Sequence, residues 1–266
     1  MKAGFGQRIV LGCVALFLAA PLVIVAGVSL NAKKRLLFPP EGLSLKWYAE
    51  LLVEPSWLVP VRNSLTVASL AAALALLIAF PLAYFLWRYR VFYGRALFTL
   101  GVAPFILPPV ITALGFLIFW ITLGAYGQLW AVIIAHAVFF VTLPLITLSL
   151  GFESVGRDVV EAAQSMGADD RAVLKTVLLP LVRPYMISGY AFAFVLSLNE
   201  YIVAYMVAGF AVKTLPIKIF NSLRCGYTPV MACVAVVFAL LAVLIFGLIA
   251  RFGDLPKLLG AWVSER

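Results

Sequence analysis

Long apolar runs separated by short polar segments fill most of the chain. The runs without Asp, Glu, Lys or Arg are 9–32, 63–87, 96–152 and 225–250. Another run, 184–212, contains only Glu200. A helix needs about 20 apolar residues to cross the hydrocarbon core of a bilayer, so 96–152 is long enough for two, with a turn at Gly124–Gly127. The pattern therefore predicts six transmembrane helices, at 9–30, 63–87, 97–122, 129–150, 186–208 and 229–250.

Continuous runs of this kind predict helices rather than strands. A transmembrane barrel would show segments of about ten residues in which apolar and polar positions alternate. The first run exceeds the roughly 7–15 apolar residues of a signal peptide, and no small-residue cleavage site precedes Lys33, so we expect it to be a retained span. Because hydrocarbon offers no hydrogen-bond partners, the backbone groups must be satisfied within helices. The sequence predicts an all-α membrane protein.

Composition narrows the class further. The 266 residues are 65% hydrophobic and 12% charged, with a mean hydropathy of +1.10, whereas soluble domains carry about 25% charged residues. These values exclude a water-soluble enzyme, a disordered chain and a coiled coil. The net charge is +9, but the basic residues flank the apolar runs, where they face lipid headgroups rather than nucleic acid. The three cysteines do not predict a disulfide framework, and we expect no metal site.

The distribution of Lys and Arg predicts the orientation. If the N-terminus is cytoplasmic, the inner segments hold twelve of these residues and the outer segments eight. Because cytoplasmic loops carry the basic excess, we expect residues 1–8 and 251–266 to be cytoplasmic. The same topology places segment 31–62 outside and segment 151–184 inside.

The outer segment 31–62 is long enough to have structure of its own. Ser44 is a suitable N-cap, and Trp47, Tyr48 and Leu51 mix aromatic and apolar side chains. This pattern favours a short helix lying in the membrane interface. A simple connector is the alternative.

The inner segment 151–184 carries the clearest amphipathic pattern. Val159, Ala162, Ala163 and Met166 have the spacing of one apolar helix face, and Gly167 suits the left-handed position after a helix end. A second helix is predicted beyond it, disturbed or ended by two prolines. Its apolar residues are Leu174, Val177, Leu178 and Leu181, and the prolines are Pro180 and Pro184.

A helix–turn–helix of this kind suits docking into a groove of a partner protein. Ala162 and Ala163 are small enough for a partner to approach the backbone, and Glu161 and Gln164 can form hydrogen bonds at the rim. Such an element would transmit motion of the partner to the membrane helices. The alternative is a helix lying on the inner leaflet, which the five acidic residues within 153–170 disfavour.

The same segment resembles the EAA loop of binding-protein-dependent ABC import permeases, whose pattern is EAA, three residues, Gly, nine residues, Ile, one residue, Leu-Pro. The matching residues are Glu161, Ala162, Ala163, Gly167, Leu179 and Pro180, with Val177 in place of Ile. The resemblance covers roughly 60–250 and implies the type I importer fold. It makes 63–250 the core permease domain, with 9–30 as an added helix and 151–184 as the coupling loop.

The resemblance also implies partners and a location. An ATPase subunit dimer would bind ATP and Mg²⁺ on the cytoplasmic side, a second and non-identical permease subunit would line the path, and a solute-binding protein would dock outside. The location would be the bacterial inner membrane. This chain would be no enzyme and hold no cofactor, because it lacks a GxxxxGK[ST] phosphate loop.

Other segments are similar to polyamine-type permeases, which implies a small cationic solute. They are SLKWYAELL, RNSLTVA, Ser197–Glu200, Thr214–Pro216 and Thr228–Pro229. Family members often have two acids where this chain has Asn199 and Glu200. Other solutes of related permeases, including opines, phosphonates, iron and other amines, are therefore alternatives.

Glu200 is the acid inside a predicted span, and such residues usually face a polar cavity on a transport path. A carboxylate with neighbouring aromatic rings suits an ammonium group, so we expect a solute path here; a structural hydrogen bond to a neighbouring helix is the equal alternative. The expected path residues are Ser197, Asn199, Glu200, Tyr201 and Tyr205. His136 in the fourth span is better interpreted as a packing residue. Prolines 81, 104, 108, 109 and 144 predict kinks.

Two other functions are alternatives to import. An ion-coupled secondary transporter would use Glu200 and His136 as proton carriers, but no inverted repeat is recognisable in the sequence. An intramembrane hydrolase would need a specific serine–histidine or multi-acid arrangement, and one histidine with scattered serines does not supply it.

Overall fold

The computed structural model describes residues 4–89, 91–226 and 228–252, except for the side chains of Cys225, Ala250, Arg251 and Phe252. Most of the predicted cytoplasmic tail 251–266 therefore lies outside the described residues, as do residues 1–3. The described part is almost entirely helical. The helices are α1 (Phe5–Ser29), α2 (Lys46–Val53), α3 (Pro55–Tyr89), α4 (Gly94–Ile106), α5 (Pro109–Thr122), α6 (Leu129–Phe140), α7 (Thr142–Glu153), α8 (Arg157–Ser165), α9 (Asp170–Ala172), α10 (Leu179–Asn199), α11 (Ile202–Ala208), α12 (Leu215–Cys225) and α13 (Val230–Phe252), and a π-helical segment, Val173–Leu178, joins α9 to α10.

Six spans account for the apolar runs. Within the described residues, four helical stretches are long and apolar enough to cross a membrane: α1, α3, Asp170–Asn199 and the Val230–Ile249 part of α13. Two bent pairs, α4 with α5 and α6 with α7, supply the other two. The all-α fold is confirmed, and the number of membrane spans is six when each bent pair counts as one span. The turn between α5 and α6 lies at Gly124–Gly127, where both glycines have positive φ.

The third predicted span, 97–122, is bent sharply at the prolines for which the sequence predicts kinks. It consists of α4 and α5, which meet at an angle of 102°. Leu107 and Pro108 are extended, because a residue before proline is pushed out of the helical region and proline itself donates no hydrogen bond. The Thr112 hydroxyl donates to the carbonyl of Pro104 at 3.4 Å, which satisfies one of the carbonyls released at the bend. The fourth span, 129–150, is bent by 43° at Val141.

The fifth predicted span, 186–208, also differs from the structure. Helical structure begins at Asp170 and continues to Asn199, so Pro180 and Pro184 do not end the helix. Pro180 lies inside this continuous helix, directly after the π segment Val173–Leu178, and such a local π adjustment can accommodate the hydrogen bond that proline cannot donate. The helix instead breaks at Glu200 and Tyr201, and α11 follows. Smaller differences affect the other spans: α3 begins eight residues before the predicted 63, and α1 and α13 are shifted by a few residues.

The described chain divides into two compact units. The first contains residues 4–59 and 218–243. In it, Trp47 and Leu51 of α2 are buried, and the Trp47 indole donates to the carbonyl of Asn31 at 2.6 Å. The Tyr48 hydroxyl lies 2.8 Å from that of Ser29 at the end of α1. These contacts fix α2 within the outer segment 31–62.

The second unit contains residues 60–217 and 244–252 and holds most of the core. Small side chains on α3 let other helices come close: Ala68, Ala72, Ala75, Ala79 and Ala83 are each at most 1% exposed. The crossing of α7 and α10 is tight as well. A Cβ atom on Gly189 would lie 2.7 Å from the backbone of Pro144, so only glycine fits there.

Candidate functional site

The amphipathic helix α8 packs on the second unit through a narrow face. Val160 and Ala163 are 7% and 8% exposed and join a core cluster with Phe152, Val173 and Leu178. Of the predicted apolar face, which includes Ala162 and Ala163 as the residues a partner would approach, only Ala163 is buried against the core. Val159 is 42% exposed and Met166 84% exposed, and Glu161 and Ala162 are exposed too. The outward face of α8 thus combines apolar, small and acidic groups.

A Schellman turn ends α8. The Gly167 N–H donates to the Gln164 carbonyl at 2.9 Å, and the Ala168 N–H donates to the Ala163 carbonyl at 3.1 Å, which is the hydrogen-bond pattern of this motif. Gly167 has φ +90°, a conformation that side chains with a Cβ atom adopt only at a cost. Nothing lies within 4 Å of the position a Cβ would take, so the backbone alone requires glycine.

Two aspartates follow the turn and fix the next helix. Asp169 caps α9 by accepting the Ala172 N–H at 2.7 Å. Asp170 accepts a hydrogen bond from the Gln164 side chain at 3.0 Å, and the Arg88 guanidinium lies 3.2 Å from the same oxygen. One carboxylate therefore joins α8 and α9 to the end of α3. Because the Asp170 side chain is 61% exposed, the ion pair positions these elements more than it stabilises them.

Leu179 and Pro180 lie beyond the π segment at the start of α10 and are exposed. The stretch Asp170–Asn199 is helical over 30 residues, about 45 Å at 1.5 Å per residue. The turn after α8 therefore leads directly into a continuous helix long enough to cross the membrane. We call the helical stretch Asp170–Asn199 the lever. The expected coupling residues all lie at or near its Asp170 end, although Ala163 faces inward. They are Glu161, Ala162, Ala163, Gly167, Leu179 and Pro180.

A buried polar cluster lies at the other end of the helical stretch Asp170–Asn199. Glu200 has a side chain 8% exposed, and its two carboxylate oxygens accept the N–H groups of Val203 and Ala204 at 2.8 and 3.0 Å. Glu200 therefore caps α11. His136 Nε2 lies 3.3 Å from the same carboxylate, without the alignment of a hydrogen bond, and His136 Nδ1 lies 2.8 Å from the Ser197 hydroxyl. Residues of α6, α10 and the helix break are thus held together.

The other expected path residues are placed differently. Asn199 is exposed, and its amide donates to the Val195 carbonyl of its own helix at 2.9 Å. The rings of Tyr201 and Tyr205 stack with centroids 5.3 Å apart, and both residues are partly exposed. Ser197 is buried and bonded to His136. The structure therefore brings Ser197, His136 and Glu200 together and leaves Asn199 outside that cluster.

Sequence reasoning missed two of these connections. The Arg88–Asp170 pair joins residues 82 positions apart, and no local pattern signals a pairing at that distance. The His136–Ser197 hydrogen bond spans 61 positions. The sequence predicts His136 to be a packing residue, and its side chain is indeed buried, at 1% exposed, but it also forms this hydrogen bond.

Most of the residues described above match a known family of transport proteins. A family model described as "Binding-protein-dependent transport system inner membrane component" matches residues 71–254. The chain belongs to this family. The match includes the bent pairs, the α8 turn, the helical stretch Asp170–Asn199 and the polar cluster.

Curated relatives cover most of the permease. The putrescine transport system permease protein PotI of Escherichia coli (strain K12) is 34% identical over 243 residues, which are 89% of this chain and 86% of the relative. The spermidine/putrescine transport system permease protein PotC of the same strain is 31% identical over 242 residues, 88% of this chain and 90% of the relative. A bacterial ABC transporter that imports the polysaccharide alginate has a chain of similar fold, with a TM-score of 0.69 at 17% identity, covering 95% of this chain and 99% of that one.

These findings establish the class of the protein. It is a membrane-embedded, non-catalytic permease subunit of a binding-protein-dependent importer, located in the inner membrane. The importer interpretation is thereby favoured over the ion-coupled and hydrolase alternatives.

Proposed function

We propose that the permease moves a small cationic, polyamine-like solute across the bacterial inner membrane, driven by a separate ATPase dimer that docks on α8. The solute class is supported by the names of the curated relatives, which are putrescine and spermidine/putrescine permeases similar over most of both chains. Import of an opine, a phosphonate, iron or another amine by the same architecture is the alternative.

The main support for docking of the ATPase on α8 is the composition of the helix's outward face. Val159, Ala162 and Met166 expose apolar and small groups beside Glu161, although Val160 and Ala163 already bury the helix against the second unit. An exposed apolar surface on a fixed helix is typical of an interface with another protein. In this proposal a groove of the ATPase receives α8, and the helix Asp170–Asn199 carries the movement into the membrane.

The remaining partners in this proposal are those that the resemblance to import permeases implies. A second, non-identical permease subunit completes the path, and a solute-binding protein delivers the solute on the outer side. ATP and Mg²⁺ are bound by the ATPase subunits, since this chain contains no GxxxxGK[ST] phosphate loop. The N- and C-termini and the loop 151–184 are cytoplasmic in this arrangement. The path residues in the proposal are Ser197, Asn199, Glu200, Tyr201 and Tyr205.

Uptake measurements test this function. In a strain without its own polyamine import, the permease and its cognate ATPase, second permease and binding protein should accumulate labelled putrescine or spermidine. The variant Glu161→Lys places a cation in the docking face, so we expect uptake to fall about tenfold or more, together with the ATPase activity stimulated by loaded binding protein. The matched control Glu54→Lys reverses an exposed charge after α2 and should transport normally.

Two outcomes would contradict the proposal. Normal uptake and stimulated ATPase activity in Glu161→Lys would exclude α8 as the docking element. Uptake of a phosphonate or iron, but of neither polyamine, by the unaltered complex would exclude the solute class while leaving the importer architecture in place.

A further inference from the structure

A cavity of about 930 Å³ opens beside the start of α8, and neither the lever nor the polar cluster uses it. Its walls come from the end of α3, the start of α4, the end of α7 and the start of α8. Trp87, Phe98 and Leu150 form apolar parts of the wall. The charged groups in the wall are Arg95, Glu153 and Arg157.

The cavity lies at the level where hydrocarbon meets water. The apolar run of α3 ends at Trp87, and the next run extends from Ala96 to Phe152, so the wall includes the ends of both runs. Tryptophan is enriched at this level of a membrane protein. A lipid of the surrounding leaflet can therefore place its headgroup among the charged groups and its acyl chains along the apolar wall.

The charges favour an anion. Within the described part of the chain, neither Arg95 nor Arg157 forms an ion pair, and a guanidinium can give two parallel hydrogen bonds to a phosphate. The first residues of α4 and α8 also line the cavity, and helix N-termini offer free N–H groups to anions. Two arginines and one glutamate leave the wall with one positive charge, which matches a single phosphodiester.

We propose that this cavity binds an anionic phospholipid of the phosphatidylglycerol type, with its phosphodiester on Arg95 and Arg157. A zwitterionic lipid would leave the positive charge of the wall uncompensated. Inorganic phosphate would leave the apolar wall formed by Phe98 and Leu150 uncovered. Basic pockets between membrane helices are known to bind anionic headgroups. The bound lipid would link the start of α4 to the start of α8.

Native mass spectrometry of the delipidated permease complex in detergent tests the proposal. Titration with phosphatidylglycerol, phosphatidylethanolamine and phosphatidylcholine should show binding of phosphatidylglycerol at least about tenfold tighter than of the other two. Arg95→Gln and Arg157→Gln should each weaken it about tenfold, whereas the control Arg171→Gln, at an exposed arginine outside the cavity, should not. Glu153→Gln should strengthen binding, because it removes the negative charge from the wall.

Several results would overturn the proposal. Equal affinity for the three lipids would exclude recognition of charge, and unchanged binding in both arginine variants would exclude this cavity. Preferential binding of phosphatidylethanolamine that is weakened by Glu153→Gln would show a site for a zwitterion. Displacement of phosphatidylglycerol by millimolar inorganic phosphate would show a site for the free anion. Because Glu153→Gln is expected to gain affinity, misfolding cannot imitate its predicted result.

Discussion

At the residue scale, Glu200 has a structural role in addition to any contact with solute. Its carboxylate caps α11 through Val203 and Ala204 while the side chain is 8% exposed. Glu200→Ala should therefore destabilise the permease by about 2 kcal/mol, since it removes charge-assisted hydrogen bonds at a buried cap. Thermal unfolding in detergent should show a midpoint several degrees lower. Glu200→Gln keeps one oxygen as acceptor and should lie between the parent and the alanine variant.

The control for this cap is Asn199→Ala. Asn199 is exposed and bonds within its own helix, so its removal should change the midpoint little. If Glu200→Ala unfolded at the parental temperature and yet lost polyamine uptake, the carboxylate would serve the solute rather than the helix. Loss of stability in Glu200→Ala with near-normal uptake in Glu200→Gln would assign it to the cap.

Features fixed by one residue's own backbone were predictable from sequence. Gly124, Gly127 and Gly167 all have positive φ at predicted turns, because glycine's conformational freedom is a local property. The inward face of α8 was not predictable in the same way. Val159 and Val160 are adjacent and chemically identical, and only the packing of Phe152 and Leu178 against α8 decides which one is buried.

At the scale of the element, variants of Val159 and Val160 distinguish the packing of α8 on the permease from its docking on the ATPase. Val160→Ala removes buried apolar groups that stabilise the packing of α8 by about 1.5 kcal/mol, at about 0.8 kcal/mol per CH₂. We therefore expect α8 to detach from the second unit more often. Hydrogen exchange of the backbone amides of α8 should be accelerated about tenfold. Val159→Ala acts on the exposed side and should leave exchange unchanged while it weakens capture of the ATPase by the purified permease.

The opposite assignment would appear as the reverse pattern. Faster exchange in Val159→Ala together with normal exchange in Val160→Ala would mean that α8 packs through the other face. Unchanged ATPase capture in both variants would remove the exposed face from the docking surface.

The existence of each span was predictable, but its course was not. Prolines occur in α3, α4 and α7 alike, yet α3 continues through Pro81 as one helix of 35 residues, and the chain turns by 102° near Pro108. A proline removes one hydrogen bond, and the surrounding helices decide whether the released carbonyl is satisfied in place or by a bend. The break at Glu200 is similar, because it depends on where His136 and the N–H groups of α11 lie.

At the scale of the whole molecule, the importer mechanism requires the two ends of the Asp170–Asn199 lever to serve different compartments. The α8 end must meet an ATPase in the cytoplasm. In the proposed function, the polar cluster at Glu200 lies on the path of a solute that arrives from outside. The excess of Lys and Arg on the α8 side supports this arrangement. Membership of the family alone does not fix the orientation of the termini. The side of the membrane on which α8 lies therefore decides whether this arrangement holds.

Cysteine labelling measures that side directly. The background is a variant with its three natural cysteines replaced by alanine, and single cysteines are introduced by Ser165→Cys in α8 and Gln128→Cys in the turn before α6, both exposed positions. A membrane-impermeant thiol reagent should label Gln128→Cys in intact cells and Ser165→Cys only after permeabilisation, because a charged reagent cannot cross the hydrocarbon core. With the ATPase co-expressed, Ser165→Cys should stay less reactive after permeabilisation, since docking covers α8. Labelling of Ser165→Cys in intact cells would place α8 outside, where no ATP is hydrolysed, and would exclude the coupling function.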